Sequence, residues 1–424
     1  MQLKYSLGRC GGYALTGVEI HDFHRLLVIG VDSVSLAASA KRAGYEVFAV
    51  GHFGDQDLKR VCQESLSIIK QTPGRSCGYL SSAFSPEILL QLAKAVLKRY
   101  EIGGVLLSSG LDDSSDILFE LNEMVPILGN HPSVIDKTRD KTRFFRELDR
   151  LGVAHPETAV VEDLEEAGEE SKDIGYPVVV KPSGGFGGAG VRRAEDSRQM
   201  KQAFREVSLM DEKVLIQKWT SGTHASASLI SSTKGAVTLT LNEQLIGMQE
   251  FGQREPFGYC GNVVPLSAPK RVMDKCKSVV ERIARHFGLV GSNGVDLVIS
   301  KEGMPYVIEV NPRFQGTLEC VERVLGMSLV EAHVEACFQG VLPMIPKKTS
   351  VSCARFIFFA PQCLVAPELS TFEGVRDIPL PGVILEQGEP LCSLVIEGPN
   401  KGCLLQRASE TAEAIRDSCN YATS

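Results

Sequence analysis

Two stretches of this chain hold residues whose types and spacing could do chemistry. In VDLVISKEGMPYVIEVNPR, Asp296 precedes a KEG turn, and Glu309 and Asn311 follow it. Period-two alternation puts Glu309 and Asn311 on one face of their strand. Pairing across the turn brings Asp296 near Glu309 on that face. Two carboxylates and an amide are hard oxygen donors, suited to Mg²⁺, which takes few protein ligands and completes its shell with water or substrate phosphate. Arg313, two residues further on, can reach the same face. The competing reading is a solvent-facing hairpin with ordinary polar residues outward. It weakens because Glu309 and Asn311 sit among Tyr306, Val307, Ile308 and Val310, in a strand that reads as buried, where a charge needs a partner.

The second stretch is YPVVVKPSGGFGGAGV, residues 176–191. A strand-like run ends in Lys181 and is followed by Gly184, Gly185, Gly187, Gly188 and Gly190. Glycine loses the most backbone entropy on folding, so such a cluster calls for a steric cause. A backbone that must approach a phosphate and aim several N–H groups at it is one such cause; a flexible hairpin tip is the other. A lysine, a glycine loop and a distant carboxylate–amide metal site together read as a nucleoside triphosphate site. It is not a Walker loop, because GxxxxGK[ST] is absent, and not a protein kinase, because HRD and DFG are absent.

The order of these motifs resembles that of the ATP-grasp superfamily, over roughly residues 100–340. The resemblance implies an α/β protein with an ATP-grasp fold. It divides the chain into an N-terminal Rossmann-like parallel-sheet domain (1–130), an ATP-grasp domain (131–345, with a lid subdomain at about 155–220) and a small β-rich C-terminal region (346–424). It also implies an entrance lysine that opens a helix about three turns long. Lys137 and Lys141 compete for that role, and Lys141, eleven residues before Gly152, fits the length. The adenine hinge falls on Gln217, Lys218, Trp219 and Thr220 and works mostly through backbone hydrogen bonds. Trp219, the single tryptophan, is either core or a neighbour of the base. His224 stands where similar enzymes often place an acidic residue on the ribose hydroxyls, and a histidine can hydrogen-bond there too.

With these positions filled, Lys181 and the lid glycines Gly184, Gly185, Gly187 and Gly188 hold the β- and γ-phosphates, with Lys141 opposite. Asp296, Glu309 and Asn311 hold Mg²⁺, with Mn²⁺ as a substitute. Arg313 and Lys181 are the catalytic pair. The implied reaction is attack of a small carboxylate on the γ-phosphate of ATP, then capture of the acyl phosphate by an amine. A carboxyphosphate-type carboxylase, a small-molecule kinase and a non-catalytic nucleotide-binding module stay open as alternatives. Residues 250–265, Ser292 and Asn293 are candidates for the acceptor pocket. Cys260 is either a nucleophile or a buried thiol, and the absence of a paired base favours the thiol.

The elements that must position these groups are legible. RLLVIG, a helix over SVSLAASAKRAG, and YEVFAVG, with a later strand in IGGVLLSSG, predict a parallel α/β sheet. The turn GVDSVS after the first strand lacks GxGxxG, so this domain reads as a scaffold without NAD. The apolar positions Phe144, Phe145, Leu148 and Leu151 predict a helix. The acidic run VEDLEEAGEESKD reads as a solvated helix or loop. Further helices are expected near 195–209, over 278–289 and in ASETAEAIRDSC, and VLIQKWTSGTHASASLI reads as two strands with a turn between them.

Bulk properties set the limits. A chain of 424 residues is too long for one core. A net charge of −7 offers no basic excess for nucleic acid or a membrane surface. Twelve scattered cysteines, without CxxC or zinc spacing, read as thiols in a reducing cytoplasm. The start lacks a secretory pattern, and no apolar run reaches the roughly 18 residues of a membrane span. The resemblance implies a small carboxylate and an amine as partners, and the composition adds the expectation of no nucleic acid and no membrane. A homodimer is left open.

Overall fold

The computed structural model describes residues 9–10, 13–14, 24–78, 84–346 and 351–421. The expectation about a leader lies outside the described residues. β1 (Arg9–Cys10) and β2 (Tyr13–Ala14) form a short antiparallel ladder. β3 (Arg25–Gly30), β4 (Glu46–Gly51), β5 (Glu64–Ser67) and β6 (Gly104–Leu107) form a parallel sheet in the order β5-β4-β3-β6. β3, β4 and β6 are near-continuous apolar runs because helices cover both faces, while β5, ESLS at the edge, is half-buried. α1 (Val34–Arg42) and α2 (Gln56–Val61) lie on one side; α3 (Pro86–Leu97) and α4 (Ser115–Met124) pack on the other.

α5 (Pro132–Arg139) and α6 (Lys141–Arg150) are separated by a single residue, Asp140. Its carboxylate accepts from the Arg143 amide at 3.0 Å and caps α6. This break aims the side chains of Arg139 and Lys141 from two helix ends toward the same place. Beyond it, β7 (Thr158–Val161), β8 (Val178–Pro182), β9 (Arg192–Ala194) and β10 (Val214–Lys218) make a four-stranded antiparallel sheet in the order β7-β10-β8-β9. The acidic run forms α7 (Leu164–Ile174), which packs with α8 (Ser197–Val207) over this sheet.

The centre of the molecule is an eight-stranded sheet in the order β15-β14-β11-β12-β13-β16-β20-β18. Its strands are β11 (Thr223–Ser232), β12 (Gly235–Ile246), β13 (Tyr259–Val264), β14 (Gly291–Ile299), β15 (Pro305–Asn311), β16 (Ser352–Phe359), β18 (Val375–Arg376) and β20 (Pro390–Gly398). β17 (Leu364–Val365), β19 (Ile384–Leu385) and β21 (Asn420–Tyr421) form a separate small sheet beside it. On one face, Ala225, Ala227, Leu241, Val295 and Leu297 pack on α9 (Lys270–Phe287). The alternate residues of the same strands are polar and face the other way.

The structure refines three of these expectations. VLIQK and THASASLI are strands, but they belong to different sheets, so the turn between them is a passage from lid to central sheet. After residue 345, β16, β20 and β18 continue the central sheet, while β17, β19 and β21 pair only with one another. Two helices start earlier than their most periodic residues indicate. α9 begins after Pro269, and α12 (Lys401–Ser418) begins after Asn400, whose side chain accepts from the Cys403 amide.

α10 (Leu318–Leu325) and α11 (Leu329–Gln339) tie the parallel-sheet domain to this body. Ser39 donates to Glu322 at 2.5 Å, and Arg42 pairs with the same carboxylate. Among the described cysteines none forms a disulfide. Among the described residues no helix is long and apolar enough to cross a membrane.

Candidate active site

The polar face of the central sheet carries the candidate site. Asp296 and Glu309 are direct cross-strand partners on β14 and β15, beside a bulge that follows Asp296. Asn311 lies one alternation further along, and its amide donates to Asp296 Oδ2 at 3.1 Å. Gln244 on β12 donates to the other Asp296 oxygen at 3.0 Å. The structure thus brings the three expected donors together, and their chemistry fits a divalent cation: two carboxylates and an amide oxygen on one face. Burial, and then the neighbouring Glu309 charge, raise the Asp296 carboxyl to about 7. A cation between the two carboxylates would reverse that shift.

Glu309 is the opposite case. Burial alone would raise its carboxyl, but Lys141, then Arg139 and Lys181, hold it well below the usual carboxylate range. Lys141 Nζ sits 3.1 Å from Glu309 Oε2, and Arg139 Nη1 reaches the same oxygen at 3.4 Å. Lys141, not Lys137, therefore faces the carboxylates. Burial, and then the nearby Lys141 ammonium, lower Lys181 to about 8. Three cations crowd around one carboxylate, an arrangement that favours an incoming polyanion.

Arg139 is a residue that the sequence reading missed. Its guanidinium is buried and holds Asp113 in a fork, with Nε–Oδ1 2.6 Å and Nη2–Oδ2 2.8 Å. The available signal was its place two residues before Lys141, together with an acidic pair, Asp112–Asp113, at the carboxyl end of β6. Asp112 also matters: Arg313 pairs with it at 3.0 Å and donates to Asn311 Oδ1 at 3.2 Å. Arg313 thus lies beside the metal donors, locked by a buried carboxylate.

The glycine loop lies down over this group. The Gly185 amide donates to Asp113 at 2.9 Å, the Gly184 amide donates to Asp211 at 2.9 Å, and the Tyr259 amide donates to the Gly187 carbonyl at 3.0 Å. Phe186 meets Phe84 of the parallel-sheet domain edge to face. Gly188 shows why glycine is needed: its φ is +77°, and a Cβ there would stand 2.0 Å from the Phe257 carbonyl oxygen.

The hinge residues divide by side chain. Gln217 donates to Thr158 Oγ1 at 2.8 Å, and the Lys218 ammonium donates to the carbonyls of Ile174 and Gly175 at the end of α7. Both side chains anchor this sheet, and the Lys218 and Trp219 amides donate to the carbonyls of Glu157 and Pro177 at 2.8 and 3.1 Å. Trp219 is not core: it is half-buried, its indole donates to Ser221, and Arg193 stacks on its ring at 4.5 Å. Thr220 follows it, half-buried. His224 is half-buried at the start of β11, and burial lowers its imidazole below its ordinary value.

The acceptor candidates fare differently. Asn293 is committed to structure: it donates to the carbonyls of Val290 and Gly291 and accepts from Asn130 at 2.6 Å. The Ser292 amide donates to His333. Cys260 is a buried thiol of the core, raised by burial. Within 250–265, Tyr259 and Asn262 do face the polar side of the sheet.

That polar side is a continuous row. Glu309, Asp296, Ser226 and Asn242 are successive cross-strand partners, and Gln244, Asn262 and Arg355 extend the row across β12, β13 and β16. Arg355 is buried at its far end, paired with Asp32 from the loop after β3 and, at 2.7 Å, with Asp377. The sequence reading missed Arg355 and Asp32 because the two partners lie more than 300 residues apart.

Comparison with known proteins agrees with this geometry. A family model described as an ATP-grasp domain matches residues 138–317. The protein MJ0776 of Methanocaldococcus jannaschii is 25% identical over 92% of both chains. The carbamoyl phosphate synthase large chain of Vibrio vulnificus is 30% identical over 49% of this chain, but the match spans only 19% of that protein. Among solved structures, the biotin carboxylase domain dimer of Hydrogenobacter thermophilus 2-oxoglutarate carboxylase, in complex with MgADP, ADP and bicarbonate, superimposes with a TM-score of 0.72. It is 17% identical and covers 94% of this chain and 91% of that one, a likeness of fold. Residues 138–317 thus match an ATP-grasp domain, and the motif order and sheet arrangement agree with that match.

Proposed function

We propose that this protein is an ATP- and Mg²⁺-dependent ligase that activates a small carboxylic acid as an acyl phosphate and joins it to an amine. The observation that carries this reading is the convergence of Lys141, Arg139 and Lys181 on Glu309 and Asp296, under a glycine loop and beside Arg313. Asp296, Glu309 and Asn311 would hold Mg²⁺, which when bound screens the charge of the phosphate oxygens. Lys141 and Lys181 neutralise the phosphates from two sides, and the lid amides of Gly184 and Gly185 can exchange a carboxylate for a phosphate oxygen. Arg313, fixed by Asp112, presents a guanidinium toward the reacting carboxylate. Catalysis on this plan is mainly positioning and charge stabilisation, with water excluded by the closed loop.

The test is a trap for the activated carboxyl. The protein is incubated with ATP, Mg²⁺, hydroxylamine and a panel of small carboxylic acids that includes the amino acids. A hydroxamate formed together with ADP is the expected result. A phosphorylated product that resists hydroxylamine would replace the ligase by a kinase. Tight ATP binding without turnover across the panel would leave a binding module.

A further inference from the structure

The loop after β6 carries two adjacent carboxylates, Asp112 and Asp113, and each meets one arginine of the candidate site. The family match covers residues 138–317, so both arginines lie inside it and both aspartates lie before it. Asp113 holds Arg139 in its fork, and past that fork the same guanidinium reaches Glu309 Oε2 through Nη1 at 3.4 Å. Asp112 Oδ2 accepts from Arg313 Nε at 3.0 Å, and the far side of that guanidinium donates to Asn311 Oδ1 at 3.2 Å. Two neighbouring residues of the parallel-sheet domain thus reach two donor residues on one face of β15, each through one guanidinium. The loop is itself pinned, because Ser115 donates to Asp136 on α5 at 2.6 Å.

The distances say what the aspartates do. Arg139 sits 2.6 and 2.8 Å from Asp113 but 3.4 Å from Glu309, so it leans away from the metal donor. Arginine stays charged in a protein, and these two side chains are only 5% and 11% exposed, so water screens them little. Without the Asp113 charge, the strongest acceptor left to Arg139 is Glu309 Oε2, an oxygen of the proposed metal donor set. Without the Asp112 charge, Arg313 keeps the Phe314 carbonyl at 2.9 Å and the Asn311 oxygen. Either loss leaves an uncancelled positive charge beside the oxygen donors, where it repels a cation and competes for its ligands. The same charge attracts phosphate. These two effects have opposite signs, which separates this role from a merely structural link between domains.

We infer that Asp112 and Asp113 are positioning residues of the cation site: they hold the Arg139 and Arg313 guanidiniums off Glu309 and Asn311 and cancel their charge, which keeps those donors free for a divalent cation. The inference rests on the metal assignment made in the ligase reading above and adds the parallel-sheet domain to what sets cation affinity.

Binding tests it without knowledge of the acid or the amine. A non-hydrolysable ATP analogue is titrated calorimetrically into the full-length protein, once with saturating Mn²⁺ and once with EDTA. The ratio of the two affinities is the gain due to metal; metal binding by the free analogue is common to parent and variants and cancels in the comparison. Asp112→Asn and Asp113→Asn should each lower this gain about tenfold or more, while the affinity in EDTA does not fall. In Asp113→Asn combined with Arg139→Met the guanidinium is gone as well, so the gain should return toward the parent's. That double variant leaves no unpaired buried charge, so its melting temperature should also recover. Asp296→Asn, which removes a proposed metal donor, should abolish the gain and serves as the control. A gain lost in Asp296→Asn but kept within twofold in both single variants overturns the inference and leaves the metal assignment standing. Equal weakening with and without metal overturns it too, since that is the mark of a structural link. A parent with no gain at all removes the metal assignment and the inference together.

Discussion

On the proposed reading, Glu309 serves both folding and chemistry. It balances Lys141 and Arg139 while no phosphate is present, so Glu309→Gln leaves those buried cations short of a counter-charge. Breaking a buried pair costs about 3–5 kcal/mol. Glu309 is 29% exposed, so a loss of about 2 kcal/mol is expected, visible as a lower melting temperature together with lost turnover. Lys141→Met is the contrasting change. It keeps the buried stem, removes the desolvated ammonium and leaves Arg139 on Glu309. Its melting temperature should stay within a few degrees of the parent, while ATP turnover falls on the order of a hundredfold. A Lys141→Met protein with normal ATP kinetics would exclude this lysine from the phosphate site. The carboxylates were legible because alternation within one hairpin is a local property. Helix length favours Lys141 over Lys137 without deciding between them, and it is Lys141 whose ammonium meets Glu309. Arg139 was not legible: an arginine ending one helix looks like any solvated residue until Asp113, 26 positions earlier, is brought to meet it.

The lid is an element whose conformation depends on a few backbone positions. Gly188 has its φ at +77° and lies against the Phe257 carbonyl. Alanine there costs about 1–2 kcal/mol for the left-handed backbone and also meets that oxygen. Gly188→Ala should therefore lift the loop from residues 255–259. Hydrogen exchange of the loop amides in the nucleotide-bound protein should rise and turnover should fall about tenfold or more, with global melting little changed. Unchanged protection in the variant would show that the loop closes without this contact. Hairpins, helices and the glycine loop could be read from local pattern. The assignment of β10 and β11 to different sheets could not, because pairing partners far apart in sequence leave no periodic signal. The same holds for the C-terminal strands: FIFFA reads plainly as a strand, but nothing local says that β16 joins β13 across the intervening helices and hairpin.

At the scale of the whole molecule, the parallel-sheet domain and the C-terminal strands meet through buried carboxylates. Asp32, Asp55 and Asp57 come from the first, Asp377 and Arg355 from the second. Burial, and then the charge on Asp377, raise Asp57 to about 6; burial, then Asp377, Asp57 and Asp32, raise Asp55 well above its ordinary range. A carboxyl whose folded value is raised contributes stability that is fully present below the unfolded value near 4 and is lost as pH rises through the folded one. This cluster therefore makes the fold less stable from about pH 4 toward neutrality. Asp55 starts α2 without a side-chain cap bond, and asparagine serves equally well at that position. Asp55→Asn should thus melt a few degrees above the parent at pH 7, with the gap closing as pH approaches 4. A gap that stayed constant over this range would show that charge is not its cause.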